Sequence, residues 1–141
     1  DYAGTIDFTS EKATNWYKGL LKNLLDMGVK CIKTDFGENI HMDAEYENMS
    51  PELLNNLYSL LYQKAAYEIT KEVTGDGIVW ARSAWAGCQR YPLHWGGDSC
   101  SSWEGLAAWR TPFRTLRLCL LEPRRAGIPY VAKLHELRCP R

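Results

Sequence analysis

The residues in this chain whose types and spacing could do chemistry begin with Asp35. Val29 to Thr34 reads as a short buried strand, with Val29, Cys31 and Lys33 on one face and Lys30, Ile32 and Thr34 on the other. Asp35 ends the run, and Gly37 lets the backbone turn away at once. An acid at the carboxyl end of a strand sits where α/β barrels place their chemistry; the same position also suits an acid that caps a loop. Ile78 to Ala81 reads as a second buried strand, and it ends at Arg82. Two strands in succession therefore deliver a polar residue to the same end. Between Ser83 and Asp98 the chain is rich in Trp85, Gly87, Tyr91, Trp95, Gly96 and Gly97. Aromatic faces with polar edges suit a sugar, and glycines admit close backbone approach; a packed aromatic loop accounts for the composition equally well. Leu93 to Trp95 reads as a short third strand, which puts Asp98 at the same end as Asp35.

The elements that must position these residues are legible as β/α repeats. Thr9 or Ser10 can cap a helix running to about Met27, with Glu11 in its positive first turn and Gly28 as the left-handed stop. Trp16, Tyr17, Leu20, Leu21, Leu24 and Leu25 make its apolar face, and Trp16 is expected to pack inside. Cys31 is expected in the core. Ser50-Pro51-Glu52 is a helix start with a hydroxyl cap and proline in the first turn. That helix should end near Thr74, burying Leu53, Leu54, Leu57, Leu60, Leu61, Ala65, Ile69 and Val73. A last helix should open at Ser101-Ser102-Trp103-Glu104 and turn Leu106 and Ala107 inward.

Composition excludes several classes. The 141 residues carry no net charge and are 45% hydrophobic, unlike a disordered tail or a nucleic-acid binder. No apolar run approaches the roughly 18 residues of a membrane span, and no signal peptide opens the chain; localisation stays open, with the cytoplasm slightly favoured. The five cysteines lack metal-ligand or disulfide-framework spacing. His41 and Asp43 offer two metal-ligand types on a loop, which better fits a solvated rim. Asn48-Met49-Ser50 matches a glycosylation acceptor, but Pro51 follows it.

The decapeptide Val29-Lys30-Cys31-Ile32-Lys33-Thr34-Asp35-Phe36-Gly37-Glu38 resembles the nucleophile segment of glycoside hydrolase family 31. Ala81-Arg82-Ser83-Ala84 followed by Pro92-Leu93-His94-Trp95-Gly96-Gly97-Asp98 resembles that family's acid/base segment. The resemblance runs from about Asp1 to Ala108 and is nearest to the α-xylosidase and α-glucosidase branch. It implies a partial (β/α)8 TIM barrel of about three β/α units. It also implies a retaining α-glycosidase acting on terminal α-linked xylosides or glucosides, with an α-linked oligosaccharide or glycoside as its partner. Asp35 would be the nucleophile and Asp98 the general acid/base. Lys33 and Arg82 would keep Asp35 ionised and reach sugar hydroxyls, Arg82 and Trp95 would line the subsite of the non-reducing sugar, and Phe36 would set its floor. Glu38 is the rival acid near Asp35, and is expected to stand behind the site rather than touch the sugar. No metal or organic cofactor, nucleic acid or membrane is required, and an oligomeric parent enzyme is compatible with this reading. An α-glucan lyase of the same family, or a non-catalytic relic or scaffold, are the alternatives.

The last 33 residues of the chain change character. Residues 109–141 hold eight of the 17 Lys and Arg but only Glu122 and Glu136 as acids. A basic interaction arm is one explanation. Another is a shifted reading frame: with allowed codons, Trp109 to Arg125 can encode G-G-L-L-S-G-L-S-G-F-V-F-W-S-H-D, similar to the family's next segment. The expected division is a partial barrel over 1–108 and an anomalous, out-of-frame or mis-spliced tail over 109–141. A complete barrel needs about 250 residues, so the chain, which opens on Asp1 rather than Met, is expected to be an inactive fragment of its parent enzyme.

Overall fold

The computed structural model describes residues 4–98 and 100–107, so the expected tail over 109–141 lies outside the described residues. The chain divides into two compact units, Asp1–His94 and Trp95–Arg141.

The first unit contains α1 (Glu11–Asp26), β1 (Ile32–Thr34), α2 (Pro51–Thr74), β2 (Val79–Ala81) and a 3-10 turn at Cys88–Arg90. The two strands pair in parallel, with Ile32 opposite Val79, Lys33 opposite Trp80 and Thr34 opposite Ala81. Parallel neighbours need a long crossover between them, and α2 supplies it. The third strand expected over Leu93 to Trp95 is present as a single parallel bridge between Ala81 and His94. Around that bridge Val79 N–H donates to the Pro92 carbonyl and Ala81 N–H to the Leu93 carbonyl, both at 2.8 Å, and Leu93 N–H donates to the Val79 carbonyl. The described residues thus form two strands and the start of a third, fewer than three complete β/α units. The ladder stops as the chain approaches Gly96-Gly97, residues that weaken a strand.

Local chemistry sets the helix ends. Ser10 is the extended residue before α1, but its hydroxyl makes no capping bond. Its N–H instead donates to the Asp7 carbonyl, while the Asp7 carboxylate accepts from the Thr9 N–H and hydroxyl and, across the loop, from the Glu47 N–H. Pro51 opens α2 where its missing N–H costs nothing. Gly75, at φ 83°, closes α2 in the left-handed conformation.

The core lies where α1 and α2 cover one face of the sheet. Leu21 and Leu25 of α1 meet Ile32, Val79, Ala66 and Ile69. A second cluster joins Phe8, Ile40, Leu54, Tyr58 and Ala65. Leu54 is 0% exposed, and Leu54→Ala is expected to cost about 2–5 kcal/mol in urea unfolding, the usual range for a cavity of this size.

Several burial expectations are corrected. On α1 only Leu21 and Leu25 are buried; Trp16 is 59% exposed, and Leu20 and Leu24 are exposed as well. The six apolar positions span a wider arc than α2 and the sheet cover. Cys31 is exposed, because Ile32 and Thr34, on the opposite face, are the residues turned to the helices. On α2 Leu53 is exposed, whereas Tyr58, Ser59, Gln63, Ala66 and Thr70 join the buried face. In the second unit residues 103–107 are helical, but Leu106 and Ala107 are exposed rather than turned inward.

Candidate active site

The parallel register alone places Asp35 beside Arg82. Each follows the last residue of its strand, and the last residues, Thr34 and Ala81, are partners. The Arg82 N–H donates to the Thr34 carbonyl at 3.1 Å, which carries the pairing one step beyond β2. At this edge the Asp35 carboxylate is gripped from two sides. Lys33 Nζ lies 3.1 Å from Oδ2, and Arg82 Nη1 lies 3.0 Å from Oδ1. Lys33 and Asp35 reach each other because residues two apart on a strand share a face.

The turn after Asp35 is a tight, specific structure. The Phe36 N–H donates to Asp35 Oδ1 at 3.0 Å. Phe36 sits at φ 59°, unusual for a residue with a side chain. Gly37 follows at φ 92°, and a Cβ there would lie 2.8 Å from Ser83 Oγ and 2.9 Å from Tyr62 Cδ1. Glycine is therefore required twice over, by conformation and by space. From α2, the Ser59 hydroxyl donates to the Gly37 carbonyl at 2.8 Å and the Tyr62 hydroxyl to the Asp35 carbonyl at 3.4 Å. Below them the fully buried Gln63 accepts from the Thr34 hydroxyl and donates to Ser83 Oγ at 3.3 Å. One amide thereby ties the end of β1 to the residue after Arg82, and every member of this buried polar group has a partner.

Arg82 is held on three sides. Besides Asp35, it meets the Glu38 carboxylate through Nε at 2.6 Å and Nη2 at 3.1 Å. Its guanidinium carbon lies 4.1 Å from the centre of the Phe36 ring, a cation–π contact. Phe36 is largely exposed, its ring meeting this guanidinium.

These contacts set the carboxyl chemistry. Partial withdrawal from water pushes the Asp35 carboxyl up. The Lys33 and Phe36 hydrogen bonds and the Arg82 and Lys33 charges outweigh it, leaving Asp35 below the ordinary aspartate value. The Arg82 hydrogen bond, followed by the opposing effect of burial, leaves Glu38 low as well. Asp7, pushed up by burial and pulled down further by the Glu47 and Thr9 hydrogen bonds, is also low. A depressed carboxyl stabilises the fold above its unfolded pKa, and that stabilisation is lost as pH falls through the lower folded value. The chain is accordingly expected to lose stability progressively as pH drops below about 4, measured by urea unfolding across a pH series.

Of the residues expected to form a site, the structure brings Lys33, Asp35, Phe36 and Arg82 together in the first unit. Trp95 and Asp98 fall in the second unit, where Asp98 is exposed. An open cleft lined by Glu38, Asn55, Asn56, Ser59, Ser83, Ala84 and Trp85 adjoins the Arg82 cluster. Among the described residues no group of three or more His, Cys, Asp and Glu could hold a metal ion, and no helix is long and apolar enough to cross a membrane. The Asn48 amide of the acceptor-like triplet donates to the Thr9 carbonyl at 2.8 Å. Sequence reasoning missed Ser59, Tyr62 and Gln63 as supports of the turn. Polar Ser59 and Gln63 inside a leucine-rich helix were the available signal.

The family described as Glycosyl hydrolases family 31 TIM-barrel domain matches residues 1–121, which extends past residue 108. The chain is similar to an alpha-xylosidase of Emericella nidulans, 41% identical over 106 residues, covering 72% of this chain and 14% of that protein. It is also similar to a sulfoquinovosidase of Escherichia coli, 31% identical over 115 residues, covering 76% and 17%. Among solved structures, the cycloalternan-degrading enzyme of Trueperella pyogenes in complex with cycloalternan superposes with a TM-score of 0.72 at 27% identity, covering 82% of this chain and 16% of that one. A sulfoquinovosidase from E. rectale, in complex with an aza-sugar inhibitor, gives 0.65 at 32% identity, covering 73% and 17%. The chain spans 14–17% of the length of these proteins. With an acid and an arginine side by side at the ends of two parallel strands, and a family match over most of its length, the chain belongs to glycosyl hydrolases family 31 and matches part of that family's TIM-barrel domain.

Proposed function

We propose that this chain is the nucleophile-bearing segment of a retaining α-glycosidase that releases α-linked xylose or glucose from a non-reducing end. The observation that carries the reading is the Asp35 carboxylate, at a strand end and kept ionised by Lys33 and Arg82. In the first step Asp98 gives a proton to the glycosidic oxygen as the bond to the anomeric carbon breaks. Asp35 attacks that carbon from the opposite face and forms a glycosyl ester. In the second step Asp98 takes a proton from water, whose oxygen displaces Asp35 and restores the original configuration. Retention requires the two carboxyl groups to be about 5 Å apart across the sugar. Lys33 and Arg82 stabilise Asp35 as the departing carboxylate and offer donors to sugar hydroxyls. Phe36 and Trp95 supply the apolar surface for the ring.

Xylose is favoured because the alpha-xylosidases of Emericella nidulans and Lactiplantibacillus pentosus are 41% and 40% identical to the chain, against 28% for an alpha-glucosidase of Bacillus thermoamyloliquefaciens. The described residues form two strands where a closed barrel has eight. We therefore read the chain as inactive until further strands enclose the site. Residues 109–141 are read as translated out of frame, which sequencing the DNA across the Ala108 codon tests. For the function itself, the full-length gene product is given aryl α-xylosides and α-glucosides, and the first-formed anomer is followed by proton NMR. An α-anomer supports the reading; a β-anomer overturns retention, and an unsaturated product in place of free sugar would mark a lyase.

A further inference from the structure

Glu38 is not among the residues that would touch a sugar, yet its carboxylate lies closer to the Arg82 guanidinium than the Asp35 carboxylate does. We propose that Glu38 is a positioning residue, whose carboxylate fixes the Arg82 guanidinium in the orientation that meets Asp35. The inference rests on the reading of Asp35 as the working carboxylate.

A guanidinium is a rigid plane on a long, flexible stem, and it has two usable edges and two faces. Glu38 takes one edge through Nε and Nη2 with paired bonds of 2.6 and 3.1 Å, the geometry that fixes orientation as well as distance. The Phe36 ring, 4.1 Å away, packs against the group. Nη1 then reaches Asp35, at 3.0 Å. Glu38 can do this because its own backbone is placed: Gly37 turns it at φ 92°, and Ser59 holds the Gly37 carbonyl. The segment Asp35-Phe36-Gly37-Glu38 thus supplies, in order, the acid, an aromatic contact for the arginine, the turn, and the arginine's anchor. It also balances charge, since Lys33 and Arg82 face Asp35 and Glu38, two cations against two anions.

The test is the titration of the Asp35 carboxyl carbon by NMR in the 141-residue chain and its Glu38→Ala and Glu38→Asp variants. Glu38 meets the Nε and Nη2 nitrogens of the guanidinium, and Asp35 meets Nη1. Deleting Glu38 while Arg82 stays in place would remove a neighbouring negative charge and lower the Asp35 midpoint. If Glu38 is the anchor, its loss releases Arg82, and the midpoint rises by about one pH unit, the scale of losing one close opposite charge. Glu38→Asp should recover part of the shift. An unchanged or lower midpoint in Glu38→Ala overturns the proposal. Glu38 is partly exposed, so the variant should fold; should it not, Glu38→Gln, which keeps the size and one acceptor, must still move the midpoint upward. The titration reports on Arg82 whether or not Asp35 attacks a sugar, so its failure is separable from failure of the catalytic reading, which covalent trapping of Asp35 tests.

Discussion

Asp35→Asn in the full-length gene product is expected to lower kcat by roughly 10⁴-fold or more while leaving thermal unfolding nearly unchanged. The magnitude is that of removing a group that forms and breaks a covalent bond, a loss no remaining residue replaces. The amide keeps the size of the side chain and an acceptor for the Phe36 N–H, now at 3.0 Å. The carbonyl of residue 35 stays under the Tyr62 hydroxyl. What disappears is the anion, and with it the electron pair that attacks the anomeric carbon. The side chain is partly exposed, so its ion pairs contribute little to folding. Melting temperature and kcat, measured on the same preparation, separate the two effects. Asp35→Gly gives a second handle: azide entering the vacated space should produce a glycosyl azide of inverted configuration. Because Asp35 lies below the ordinary aspartate value, the acidic limb of kcat/KM set by this residue should also lie below that value. Activity is present above it and lost as pH falls through it.

Asp98→Ala is expected to depend on what is being cleaved. A general acid contributes on the order of 10²–10⁴-fold where the leaving oxygen needs a proton. Alkyl and sugar leaving groups should therefore lose turnover by that amount. Glycosyl fluorides and dinitrophenyl glycosides, whose leaving groups depart unaided, should still form the intermediate and then stall, since no base activates water. A burst of phenol followed by a slow steady state is the predicted trace. Equal loss for good and poor leaving groups would remove Asp98 from the acid/base role.

How much of this was legible in the sequence follows from the range of each interaction. The ends of α2 were legible because Pro51 and Gly75 act within one turn, although the Ser50 hydroxyl expected to cap the helix makes no capping bond. The carboxyl end of β1 was legible for the same reason, an acid and then a glycine. The face of α1 was not. Trp16, Leu20 and Leu24 fit a helical period as well as Leu21 and Leu25 do, and only the position of α2 and the sheet decides which are covered. Cys31 was misjudged likewise, since alternation fixes which residues share a strand face but not which face receives the helices. Gln63 read as a polar interruption of an apolar stripe, although it is fully buried and ties the two strand ends together. The grip of Glu38 on Arg82 joins residues 44 positions apart, and no local pattern encodes such a pair. The third strand was placed correctly in the chain but overestimated, because two glycines follow the single bridge at His94.

The central claim is that the carboxylate of residue 35 becomes covalently bonded to the sugar. The full-length gene product should be treated with 5-fluoro-α-xylosyl fluoride, digested, and mapped by mass spectrometry. The account predicts one added fluoroxylosyl group, carried by the peptide containing Lys33-Thr34-Asp35-Phe36 and absent in Asp35→Asn. A label on another carboxylate, or an enzyme that turns over the substrate without ever forming an ester, would contradict it.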